Sequence, residues 1–253
     1  MTTDTMQKSA VVFTTIGRKK VTIAGIAKGS GMIAPSMATM ISVITTDAAI
    51  TPSALKKALT AKVNGSFNAV TVDSDTSTSD IVAVMASGRA GNANITAASK
   101  DYRKFENALG EVCAELARAI ATDGEGATKL IKINVQGAKS DKDAEIAAKS
   151  VANSPLFKCA VHGCDPNWGR ITAAAGRSGA HVITEKMDLV FDDEPLVLKG
   201  QWLGPEAEKK VAVLMKNKEI HITLDLNLGT ASDYFNFCDF SENYVKINAN
   251  YRT

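Results

Sequence analysis

Residues 27–48 read AKGSGMIAPSMATMISVITTDA, and the rest of the chain is organised around them. Lys28 is followed by Gly29 and Gly31, then by Pro35, then by a junction of small residues, Ala38-Thr39. Glycines let a backbone fold tightly or approach a ligand closely, and a proline fixes φ just ahead of the junction. Met40 to Thr46 is rich in Ile, Val and Thr and reads as a buried strand. A threonine at the mouth of such a strand is well placed to act as a nucleophile. The same residues also suit a plain glycine loop feeding a core strand. The G-x-G is not a dinucleotide fingerprint, because it lacks the third glycine and leads to a proline and a strand instead of a helix N-terminus.

Bulk properties narrow the class. The chain has 253 residues, 45% of them hydrophobic, which is enough apolar material for one large domain or two small ones. A net charge of +2 gives no reason to expect a nucleic-acid or membrane partner. No apolar run approaches the ~20 residues needed to span a bilayer. The opening MTTDTMQKSA is neither a signal peptide nor an arginine-rich transit peptide, so a cytoplasmic location is expected. Cys113, Cys159, Cys164 and Cys238 form no C-x-x-C pair, in keeping with a reduced compartment. The histidines are scattered, and no metal is expected.

Taken in order, SAVVFTTI and VTIAGIA flank a GRKK turn and predict a β-hairpin with Gly17 at the turn. Thr51-Pro52 predicts a helix start, with Leu55, Ala58, Leu59 and Val63 on one face and Asn64-Gly65 at the end. Phe67 to Val72 reads as a strand. It leads into DSDTSTSD, residues 73–80, which suits a polar loop capping the next helix better than a cation site. Phe105, Leu109, Val112, Leu116 and Ile120 recur at helical spacing along an amphipathic helix that stops at DGEG, residues 123–126. KLIKINVQG reads as a strand, Ser140 to Ala152 as a helix broken by NSP at 153–155, and Asp165-Pro166 as the start of a helix carrying Trp168, Ile171 and Ala175. His162 and Cys164 lie close in sequence, but no third partner for a Cys/His nucleophile is evident. From His181 onward the chain is β-rich, with helical character in VAVLM and an alternating strand EIHITLDLN that turns His221 to its polar side. YVKIN in the tail reads as a strand.

Several of these stretches together resemble one family. KGSGMIAPSMATM followed by TTDA, TVDSDTSTSD, DGEGATK and GCDPNWGRI occur in the order found in the ornithine acetyltransferases, also called glutamate N-acetyltransferases, of arginine biosynthesis. The resemblance runs over essentially all 253 residues. It implies an α/β fold of stacked mixed β-sheets flanked by helices, with a self-processing, N-terminal-nucleophile-like architecture. By position, the scissile bond is Ala38-Thr39 and the nucleophile is Thr39. Residues 1–38 then correspond to the C-terminal end of the family's α-subunit, and residues 39–253 to the β-subunit.

The resemblance also implies roles for Lys28, Glu125, Asn248 and the terminal Thr253 in substrate binding, beside Thr39. It implies that an upstream α-subunit half supplies a threonine-glycine oxyanion hole with no equivalent in this sequence, and an assembly of two α and two β chains. No cofactor is implied, although bifunctional members accept acetyl-CoA as a second acetyl donor. Two other readings stand beside the transferase. One is an aminopeptidase-like hydrolase that uses the same self-cleavage, and the other is an inactive fragment lacking the oxyanion-hole half. Lys28, Glu125 and the Asn248/Thr253 tail favour a charged amino-acid substrate and so the transferase.

Overall fold

A computed structural model describes residues 3–34 and 40–251. The chain divides into two compact units, Met1–Gly124 and Glu125–Thr253. That boundary concerns packing, whereas the expected division after residue 38 concerns a covalent cut. The architecture is mixed α/β, with sheets flanked by helices, as expected.

The first unit is built on a sheet of order β1-β2-β3-β5. Strands β1 (Lys8–Ile16) and β2 (Lys19–Lys28) form the expected antiparallel hairpin, with Gly17 and Arg18 in the turn. Strand β3 (Ile41–Thr46) lies antiparallel to β2. Helix α1 (Pro52–Asn64) begins as expected, with the Thr51 hydroxyl accepting from the Ala54 amide. After it come a short extended piece, β4 (Val70–Thr71), and then β5 (Ile81–Ala86), which runs parallel to β3.

Helix α2 (Tyr102–Thr122) covers one face of this sheet. Phe105, Leu109, Val112, Leu116 and Ile120 are all buried, as their spacing requires. Val21, Ile23 and Ile44 of the strands are buried too, through their alternation. Gly25 sits where the helix comes nearest, since a Cβ there would lie 2.8 Å from Leu116 Cδ1 and 3.1 Å from Val112 Cγ1. The opposite face is a departure from expectation. Strand β3 is only half buried, with Ile41 and Thr45 exposed beside Ile26, Ile81 and Met85.

In the second unit the strands run β11-β6-β10-β7-β8-β9. These are β6 (Leu130–Ala138), β7 (Asp188–Phe191), β8 (Glu194–Leu198), β9 (Gln201–Trp202), β10 (Glu219–Asp225) and β11 (Ala231–Cys238). Strands β6 and β10 are parallel, and their other pairings are antiparallel. Ile131, Ile133 and Val135 point into a core closed by α3 (Asp141–Ala152), α4 (Pro155–His162), α5 (Trp168–Gly176) and α6 (Pro205–Leu214). The reverse face is polar, and His221 is exposed on it as expected. The chain's last helix is α7 (Glu242–Asn250). Among the described residues no helix is long and apolar enough to cross a membrane.

Four local readings need correction. Phe67–Ala69 is a 3-10 turn, so only Val70–Thr71 is extended there. NSP does not merely break α3, because Ser154 caps α4 and Pro155 opens it. Helix α5 starts at Trp168 and not at Asp165-Pro166, since Asn167 is the residue whose side chain accepts from the Arg170 amide. YVKIN belongs to α7, because the Ser241 hydroxyl caps the Asn243 amide and Phe240 stacks on Tyr244 with ring centroids 4.8 Å apart.

Candidate active site

Ala38, Thr39 and Thr253 lie outside the described residues, so the structure positions only the groups around them. Within the first unit those groups gather at the start of β3. Lys28, the last residue of β2, stands opposite Ile41, and Ile41 stands opposite Ile81 on the other side. Asp80, immediately before Ile81, accepts the Met40 amide at 2.8 Å. At the far end of the same loop, Asp73 accepts the amides of Met32 at 2.6 Å and Ile33 at 3.0 Å. Burial raises the pKa of both carboxyls above the usual range; backbone amides oppose this at Asp73, and the Met40 amide and the Lys28 ammonium oppose it at Asp80.

The corner after Lys28 is fixed by a third carboxylate. Asp4 accepts the Gly29 amide at 2.7 Å and the Lys8 ammonium at 2.6 Å. Lys8 also meets Asp123, which accepts the amides of Thr5 and Met6 as well. Asp4 and Thr5 are thus part of a buried ionic cluster tied to the end of α2. Sequence reasoning missed this cluster, and the only local signal was an i,i+4 Asp4/Lys8 spacing.

In the second unit, Glu125 is buried and lies at the entry to β6. Asn248, on α7, donates to Glu125 Oε2 at 2.8 Å and to the Tyr244 carbonyl at 3.1 Å. Gly126, with φ +70°, allows the start of α7 to close on this loop, since a Cβ there would sit 2.5 Å from the Tyr244 nitrogen. The Ser241 hydroxyl both caps α7 and donates to the Gly126 carbonyl. The result is a carboxylate and an amide held side by side, a pairing suited to a cationic amine.

His162 and Cys164 do not pair with each other. The His162 ring meets Asp239 at 2.8 Å, and Asp239 also accepts the Thr128 hydroxyl at 2.6 Å and the amides of Thr128 and Lys129. The Lys129 ammonium lies 3.0 Å from Cys164 Sγ. Hydroxyl and imidazole address one carboxylate here, so the group braces the start of β6. Among the described residues no group of His, Cys, Asp and Glu could hold a metal ion.

The ArgJ family model matches residues 1–253, the whole chain. The chain belongs to the ArgJ family. It is 48% identical over 254 residues to the arginine biosynthesis bifunctional protein ArgJ of Geobacillus stearothermophilus, covering 100% of this chain and 62% of that protein. The relative of the same name from Chlorobium chlorochromatii is 47% identical over 253 residues, with 58% of it covered. The chain thus spans about three-fifths of the length of these curated relatives. It is similar in fold to a crystal structure of the arginine biosynthesis bifunctional protein ArgJ from Bacillus halodurans. There the TM-score is 0.78 at 42% identity, over 82% of this chain and 97% of that one.

Proposed function

We propose that the chain carries the nucleophile of a glutamate N-acetyltransferase that moves acetyl from N-acetylornithine to glutamate in arginine biosynthesis. The observation that carries this reading is the Glu125–Asn248 pair, a buried carboxylate braced by an amide in a member of the ArgJ family. Such a pair recognises the cationic amines of ornithine. Lys28 supplies the complementary charge for a substrate carboxylate, and Thr253 joins the substrate-binding set.

The chemistry begins with self-cleavage. The Thr39 hydroxyl attacks the Ala38 carbonyl, the Ala38 C–Thr39 N bond breaks, and the hydroxyl proton passes to the departing nitrogen. Water then hydrolyses the ester, leaving a carboxylate on Ala38 and a free amine and hydroxyl on Thr39. The α-amine has a reference pKa of about 7.7 to 8.0, so near neutrality it can take the proton of its own hydroxyl. The Thr39 oxygen next attacks the acetyl carbonyl of N-acetylornithine, and ornithine leaves with a proton. The glutamate amine then attacks the acetyl-threonine ester, the bond from the acetyl carbon to the Thr39 oxygen breaks, and the proton lost by the amine returns to that oxygen, giving N-acetylglutamate and the free Thr39 hydroxyl. No step needs a metal or a cofactor, and acetyl-CoA is a second acetyl donor where the bifunctional activity is present.

The oxyanion is assigned to an upstream α-subunit segment, in an assembly of two α and two β chains. The outer face of the first unit supports a covering partner, since Val11, Phe13, Ile26, Ile41, Ile81 and Met85 all stand exposed on it. An apolar sheet face of this kind is ordinarily buried. Oxyanion donors of this type are worth on the order of 10²–10³ in rate.

The test is intact mass spectrometry of this chain, alone and co-expressed with the N-terminal part of the Geobacillus stearothermophilus relative. Splitting after Ala38, abolished by Thr39→Ala, is the expected result. It should be accompanied by acetyl transfer from N-acetylornithine to glutamate. A chain that stays whole with its partner present, or one that hydrolyses without transferring, sinks the reading.

A further inference from the structure

The Lys129 ammonium is held from three directions. It donates to the Val161 carbonyl at 2.6 Å and the His162 carbonyl at 3.2 Å, both at the end of α4, and to Cys164 Sγ at 3.0 Å. A cation is favoured at a helix C-terminus, and an ammonium has three hydrogens to give. The two carbonyls fix the nitrogen, and the third hydrogen is left for the sulfur. The Cys164 amide also donates to the Val161 carbonyl, at 3.1 Å, so one oxygen anchors both partners. On its other side the sulfur lies 3.4 Å from the Met215 carbonyl.

The remaining cysteines each lack one condition that Cys164 meets. Cys238 Sγ stands 3.9 Å from the Lys158 ammonium, but the two residues are 0% and 1% exposed, closed to an oxidant dissolved in water. Cys113 is buried too, and burial pushes its thiol up to about 12, away from the reactive thiolate form. Cys159 is exposed on α4, with no amine in contact with its sulfur among the described residues. Of the four, Cys164 alone combines partial exposure with an amine held against the sulfur.

We propose that Cys164 and Lys129 form a reversible oxygen-bridged cross-link, Sγ–O–Nζ, on exposure to hydrogen peroxide. The Cys164 thiolate attacks one peroxide oxygen, the O–O bond breaks, and the sulfur, oxidised by two electrons, becomes a sulfenic acid. The hydroxide released takes a proton from the Lys129 ammonium and leaves as water, so a sulfenic acid now lies beside a neutral amine. A second peroxide gives one oxygen to Nζ, its O–O bond breaking, and leaves a hydroxylamine and a second water. The hydroxylamine oxygen attacks Sγ, the bond from sulfur to the sulfenic oxygen breaks, and that oxygen departs as a third water. The chain gains one oxygen and loses two hydrogens.

The observed contact is close to the span of a bent S–O–N unit. A direct S–N bond would instead draw Nζ away from the two carbonyls that hold it. Lys129 immediately precedes β6, so the bridge ties the entry of that strand to the turn that ends α4. It is independent of the transferase reading.

The experiment titrates the full chain with hydrogen peroxide and compares wild type, Lys129→Arg and Cys164→Ser by intact mass and peptide mapping. Wild type should gain one oxygen and lose two hydrogens, yield a cross-linked peptide joining Lys129 to Cys164, and return to its starting mass with dithiothreitol. Both variants should lose that species. Lys129→Arg keeps a cation at the helix end, and its Cys164 should instead be labelled by dimedone as a sulfenic acid. The wild-type map decides the matter whether or not either variant folds well. Peptides carrying only added oxygens on Cys164, or Cys164 in a disulfide, overturn the bridge. So does a cross-link that lacks the added oxygen, or one that persists in Lys129→Arg.

Discussion

The Asn248 side chain donates to Glu125 Oε2 at 2.8 Å across 123 positions of sequence, joining the last helix to the loop that opens the second unit. Two sequentially remote residues proposed for substrate binding are thus paired in one place. In the proposed site the glutamate brings the charge, and the amide occupies its Oε2.

Glu125→Gln keeps the shape of that pair and removes its charge. A hydrogen bond to a charged group contributes about 1.5–3 kcal/mol, roughly a ten- to hundredfold change in binding. We therefore expect KM for N-acetylornithine to rise by that factor, with kcat altered much less. Asn248→Ala leaves the carboxylate in place without its brace and should raise KM by only a fewfold. Steady-state kinetics of both variants check the ordering, and equal effects would contradict it.

Lys8 is buried between Asp4 and Asp123, with side-chain exposures of 0% for Lys8 and 3% for Asp123. Lys8→Met removes the cation that two buried carboxylates share. Breaking a buried pair in this way costs about 3–5 kcal/mol. Urea unfolding should show a loss of that size, and Lys8→Met combined with Asp123→Asn should recover part of it. A loss below about 1 kcal/mol would mean that the carboxylates find solvent or other partners.

Much of this fold was legible in the sequence, and where it was not the cause is physical. The α2 stripe from Phe105 to Ile120 repeats at helical spacing for several turns, and no competing pattern fits it. YVKIN misled because its β-branched residues suggested a strand, while a single capping hydroxyl on Ser241 and a ring stack decided for helix. Glu125 and Asn248 stand out through resemblance and not from spacing, and the hydrogen bond between them is visible only in the fold. The carboxylates of Asp73 and Asp80 looked like local caps because their true partners lie on a distant part of the chain. Hydrogen bonds of that reach leave no local signature. The Asp4–Lys8–Asp123 cluster escaped for the same reason.

Gly25 marks the closest approach of β2 to α2. A Cβ would meet Leu116 Cδ1 at 2.8 Å, and Ile44 Cγ1 and Val112 Cγ1 at 3.1 Å. Leu116 Cδ1 is the end of a flexible side chain and can move, so Gly25→Ala should cost no more than about 1 kcal/mol. Gly25→Val adds bulk that Ile44 and Val112 cannot both yield to, and overpacking of this kind costs about 1–3 kcal/mol. Thermal melts of the two variants should show the valine markedly below the alanine. Equal melting temperatures would mean that the helix is free to shift.

Asp73 gives a pH signature whose sign follows from burial. Desolvation raises its folded pKa above the ordinary carboxylate value, against the pull of the Met32, Ile33 and Asp75 amides. The folded chain therefore keeps this proton to higher pH than the unfolded chain does. Where the folded state binds more protons, stability falls as pH rises. The penalty is absent below the unfolded pKa, about 3.9, and fully present once pH has passed the raised folded value. Asp73→Asn cannot titrate and lacks this slope, though its amide is a weaker acceptor for the two backbone N–H groups. Relative to wild type, the variant should do worst at about pH 3.5 and gain ground steadily as pH climbs from the unfolded value through the folded one. Urea midpoints of both proteins across that range test the sign. A stability difference that stays flat, or that moves against the variant as pH rises, would show that the amides outweigh desolvation at Asp73.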